Sequence, residues 1–116
     1  MTGSAKVYEL RIYRAAPGKL ESLVARFRDD TDQLFAKHGM KPLGYWTALD
    51  EPAKSSTFIY ILEHPSRESA AANWKSFQSD PEWQRVKAKS EENGKLVEKI
   101  DSTFLTPTDF SRLRPI

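Results

Sequence analysis

Apolar and polar residues alternate through residues 7–13, VYELRIY. A period of two marks a β-strand with unlike faces. Tyr8, Leu10 and Ile12 form one set, taken as the core side. Val7, Glu9, Arg11 and Tyr13 form the other, taken as the side away from the helices. The strand is expected over residues 6–14, and Ala15-Ala16-Pro17-Gly18 ends it. The period then changes. Leu20, Leu23, Val24, Phe27, Thr31, Leu34, Phe35 and His38 fall at steps of three and four, which predicts an amphipathic helix over residues 19–37 that stops at Gly39. A second strand is expected over residues 40–49, a turn over 50–55 and a third strand over 56–63. The run TFIYILE in that third strand is apolar at nearly every position, so both of its faces are expected to be covered.

Ser66 is placed to cap a second helix with Ala70, Trp74 and Phe77 inward. Asp80-Pro81 ends that helix and starts a third, with Trp83 and Val86 inward. Residues 91–94 stop it, and a fourth strand is expected over 96–105. The order βαββααβ predicts an α+β, ferredoxin-like sandwich: helices on one face of a four-stranded antiparallel sheet, with the first and third strands central. One domain spans residues 6–105. Residues 1–5 are expected to be disordered, and the tail of residues 106–116 to dock on the domain or on a partner. With helices on one face only, the apolar residues of the third strand need a second cover. A second copy in a two-fold homodimer is the simplest one, and Glu9 and Arg11 would then lie between two sheets.

Composition narrows the function classes. The net charge is +2, from 18 basic and 16 acidic residues with the signs interspersed. No basic stripe with interleaved aromatics is present, so nucleic acid is not an expected partner. The chain has no cysteine, which excludes disulfides, thiol catalysis and Cys-ligated metal. No apolar run suits a membrane helix, and the start, MTGSAKV, has no signal-peptide pattern, so a cytoplasmic protein is expected. The two histidines are far apart without ligand spacing, so no metal is expected.

A family resemblance joins these elements. YELRIY at residues 8–13, PGK at 17–19, KHGMKPLGYW at 37–46, DPEW at 80–83 and PTDFS at 107–111 occur in an order and spacing that resembles the NIPSNAP family. The resemblance covers nearly the whole chain. It implies a dimeric α/β barrel, in which two ferredoxin-like sheets close face to face, but it brings no agreed activity. Haem-handling barrels use a helix histidine, and the second and third helices contain none; no cofactor is expected.

Glu9 and Arg11 stand two apart on one strand and leave the same face. In a ligand site, Arg11 would anchor an anion and Glu9 would orient it or act as a base. The preferred alternative is a structural ion pair. Tyr13, Trp46 and Tyr60 are candidates to line a small-molecule cavity with that pair; Trp46 and Tyr60 serve equally well as core. His38, on the apolar stripe at the helix end, is taken as a capping residue. His64, where a central strand ends, is with Glu9 a candidate catalytic base. Two functions result. The first is binding of a small organic molecule, or a scaffold role. The alternative is a cofactor-independent monooxygenase or isomerase acting on an aromatic or polyketide-like molecule, with Arg11 holding an oxyanion.

Overall fold

A computed structural model describes residues 6–113, and the expected disorder of residues 1–5 lies outside the described residues, as do residues 114–116. Four strands, β1 (Val7–Ala15), β2 (Lys41–Thr47), β3 (Thr57–His64) and β4 (Val97–Leu105), pair antiparallel in the order β2-β3-β1-β4. β1 and β3 are therefore central, as their composition predicts. The helical elements are α1 (Leu20–Arg26), a π-helical turn (Phe27–Thr31), α2 (Asp32–Lys37), α3 (Arg67–Ser79) and α4 (Pro81–Ser90), with a short 3-10 turn at Ala53–Ser55. The architecture is the α+β sandwich read from the sequence.

The caps form where expected. Ser66 Oγ accepts the Ser69 N–H at the start of α3, and Asp80 Oδ1 accepts the Glu82 N–H at the start of α4. The first predicted helix differs in one respect. Its middle winds as a π turn, and Arg26 and Phe27, adjacent in sequence at that junction, are both buried. Single π turns of this kind are frequent at functional sites. Gly39 ends α2 with φ +79°, and a Cβ there would lie 3.0 Å from Asn73 Nδ2. Gly39→Ala should cost about 1–2 kcal/mol, from the left-handed backbone alone; a thermal melt within error of the parent would contradict it.

The two faces of the sheet are the reverse of the sequence expectation. Glu9, Arg11 and Tyr13 stand opposite Leu62, Tyr60 and Phe58 in the ladder, and directly paired residues share a face. Phe27 packs on that face, with ring centroids 5.6 Å from Tyr13, 4.8 Å from Phe58 and 5.1 Å from Tyr60. The side holding Glu9, Arg11 and Tyr13 is thus the helix side. Tyr8, Leu10 and Ile12 share the open side with Ile59 and Ile61. Alternation fixes which residues go together but not which set the helices cover. The polar tips of Glu9 and Arg11 are tolerated inside because the helix layer and β4 bring them partners. The pair therefore lies between sheet and helices of one chain, not between two sheets.

After β4 the chain runs without regular structure to Leu113. Phe110 is 81% exposed, so its ring finds no cover on its own domain.

Candidate functional site

Glu9 is the centre of the buried polar network, with only 2% of its surface exposed. Its Oε1 accepts from His64 Nε2 at 2.8 Å and from Trp74 Nε1 at 2.8 Å. Its Oε2 accepts from Arg11 Nη1 at 3.0 Å and from Ser102 Oγ at 2.7 Å. These donors come from β3, α3, β1 and β4. Burial alone would raise the carboxyl pKa, but the hydrogen bonds from His64, Trp74, Ser102 and Arg11 bring it down to about 2. Glu9 is a carboxylate with its acceptor sites filled. Because that carboxylate can only accept, His64 carries its proton on Nε2. His64 Nδ1 is buried and has no partner among the described residues.

Arg11 is the hub of the next layer. Besides Glu9, its Nε donates to Tyr60 Oη at 3.0 Å and its Nη2 to Tyr13 Oη at 3.1 Å. The guanidinium lies over the Trp74 ring, 4.2 Å from the centroid, in cation–π contact. Burial opposes its charge, yet the Tyr13 and Tyr60 oxygens and Glu9 outweigh burial and raise its pKa. The two phenol oxygens are 2.7 Å apart. Tyr60 is wholly buried, and burial pushes its pKa well up.

Arg11 and Tyr13 form the floor of a cleft of about 700 Å³ between the helices and β4, walled by Phe35, Trp74, Phe77 and Trp83. Arg26 also lines it. Arg26 is 7% exposed; its guanidinium donates from Nη1 to Ser90 Oγ at 3.2 Å and lies 3.6 Å from Glu91. Burial lowers its pKa, with Glu91 opposing. Its Nε is buried and has no acceptor among the described residues.

Of the residues singled out from sequence, Glu9, Arg11, Tyr13, Tyr60 and His64 converge on one network. Within it, Arg11 and Tyr13 reach the cleft, whereas Glu9, Tyr60 and His64 lie outside its lining. Trp46 stands apart. It pairs with Ile59 on the open side and is 49% exposed, its ring lying over Gly44. Tyr45 takes the inward place instead, stacked on Phe58 at 5.9 Å and donating to Asp32 Oδ1 at 2.7 Å. His38 fastens α2 to the α3–α4 junction through Ser76 Oγ and Asp80 Oδ2, both at 2.7 Å. Lys37, followed by His38, holds the Asp80 carboxyl well below its ordinary value, and the His38 ring ties the end of α2 to the α3–α4 junction rather than to the carbonyls of its own helix. Arg26, Trp74 and Ser102 are the site residues that the sequence reading missed. Arg26 left a local signal, an arginine three residues after Leu23 on the apolar stripe, and the helical period placed Trp74 inward as packing; Ser102 left none.

The NIPSNAP family model matches residues 8–112. No curated protein matches the chain. Similar solved structures include a NIPSNAP family protein from Agrobacterium tumefaciens, 27% identical with TM-score 0.80, covering 94% of this chain and 99% of that one. An uncharacterized NIPSNAP-like domain protein from Burkholderia xenovorans is 19% identical with TM-score 0.79, covering 97% and 93% of the two chains. At that identity the likeness speaks for the fold alone.

Proposed function

Because the chain belongs to the NIPSNAP family, we propose that it is a homodimeric α/β-barrel protein whose helix-side cleft binds a small organic molecule. The observation that carries the reading is the cleft itself: about 700 Å³, with a guanidinium and a phenol on its floor and aromatic walls. Apolar walls with a few fixed polar groups are the usual form of small-molecule sites. A binding role is favoured over turnover because Glu9 and His64, the candidate bases, lie outside the cleft lining and Glu9 is saturated with donors.

The dimer is supported by the opposite face. Leu10, Ile12, Ile59 and Ile61 are only partly covered there, and Trp46 and Leu105 stand exposed beside them. A continuous apolar sheet face is an association surface, and a second copy of the same face is its self-complementary cover. The tail with exposed Phe110 is proposed to dock on that partner.

Native mass spectrometry of freshly purified protein tests both parts. The expected species has a two-chain mass plus an adduct of a few hundred daltons. A one-chain mass overturns the dimer, and a bare two-chain mass that takes up no added organic acid or neutral aromatic overturns the binding role. Ile61→Lys should give a folded one-chain species, since Ile61 faces away from the helix-side core. A two-chain Ile61→Lys species would remove that face from the interface.

A further inference from the structure

The chemical class of the ligand can be read from the protons of the cleft. This rests on the cleft being a ligand site. Tyr60 is fully buried and outside the cleft lining, and the one acceptor its hydroxyl reaches among the described residues is Tyr13 Oη, 2.7 Å away. Tyr60 therefore donates and Tyr13 accepts. Tyr13 also accepts from Arg11 Nη2. Both lone pairs of the Tyr13 oxygen are then filled, and its own proton has no acceptor among the described residues. Tyr13 lines the cleft, so that proton belongs to the cleft. Arg26 also lines the cleft; its Nη1 donates to Ser90 Oγ, while its Nε–H is closed to solvent and has no acceptor among the described residues.

Of the inner side chains that line the cleft, Tyr13 and Arg26 thus offer it donors. The carboxylate of Glu9, the acceptor behind Arg11, already accepts from four groups. The charged residues that line the cleft tell the same way: Arg11, Arg26, Lys87 and Lys99 against Glu91 and Glu98. The walls Phe35, Trp74, Phe77 and Trp83 are flat aromatic surfaces. We propose that the cleft selects acidic aromatic molecules, an oxyanion of the ligand accepting a hydrogen bond from the Tyr13 hydroxyl and facing the Arg26 guanidinium. Arg11 then acts mainly from behind. Three of its donors are spent within the chain, and it holds Tyr13 in place and polarises its hydroxyl.

The test is calorimetric titration of the intact protein with 2-naphthoate and with its uncharged isostere 2-naphthamide. The acid should bind about tenfold or more tighter than the amide, the range for hydrogen bonds to a charged group. Tyr13→Phe and Arg26→Gln should each bring the two affinities to within about threefold of one another, with thermal melts confirming that both variants fold. The wild-type ratio stands as a test by itself if either variant does not fold. Equal affinity of the wild type for acid and amide overturns the acidic class and leaves the binding role standing. A preference for the acid that survives both substitutions overturns the assignment to Tyr13 and Arg26. Binding of neither probe overturns this inference together with the ligand-site reading beneath it.

Discussion

Glu9→Ala should lower the unfolding free energy by about 3–5 kcal/mol, the usual cost of stranding one member of a buried ion pair. The substitution removes the acceptor for Arg11, His64, Trp74 and Ser102 at once. Arg11 is left as a buried cation with two phenol oxygens and the Trp74 ring as its remaining partners. Urea unfolding with an unchanged m value reads the loss as stability rather than as a change in compactness. The double variant Glu9→Leu with Arg11→Met should lose clearly less than the sum of the two single changes, because apolar side chains of similar volume need no partner. A Glu9→Ala protein within about 1 kcal/mol of the parent would mean that desolvation of the carboxylate cancels all that its four donors contribute.

Acid should remove the same contribution without any mutation. The Glu9 carboxyl titrates near 4.5 when free and at about 2 in the folded protein. Between those values the unfolded chain binds the proton and the folded protein does not. The group's stabilisation is therefore complete above pH 4.5 and is lost as the pH falls to about 2, a total of about 3 kcal/mol. Asp80, held well below its ordinary value by Lys37 and His38, adds a loss of the same sign. Subtracting the stability profile of Glu9→Gln from that of the wild type cancels Asp80 and isolates Glu9. The difference should shrink steadily over that interval, and a flat difference would show that the donors do not depend on a charged acceptor.

The parts of this structure that were legible in the sequence are those written locally. Period two in residues 7–13 gave the strand and its two side-chain sets. Ser66, Asp80-Pro81 and Gly39 marked helix ends through side-chain caps and a left-handed turn. The choice of face was not local. A rule of apolar inside and polar outside assumes that the outer face meets water. Here the outer face is the more apolar one, so the rule pointed the wrong way for Glu9 and Arg11. The network around Glu9 was also out of reach, because its partners His64, Trp74 and Ser102 lie 55, 65 and 93 residues away. Tyr45 and Trp46 show the same limit on a smaller scale. Adjacent aromatics in a strand must face opposite ways, and the register shift between Pro42 and Gly44 helps to decide which one turns inward.

The sheet separates its two surfaces of interest: the cleft lies on the helix side, the uncovered apolar residues on the other. A pair of chains joined through the latter would carry its clefts on opposite outer flanks, each built from a single polypeptide. Saturation would then take one molecule per chain, along a hyperbolic isotherm with a Hill coefficient of about one, since neither cleft borrows a group from its neighbour. A mixed pair with Tyr13→Phe in one chain would keep one full-affinity site and one weakened site, rather than two sites of intermediate strength.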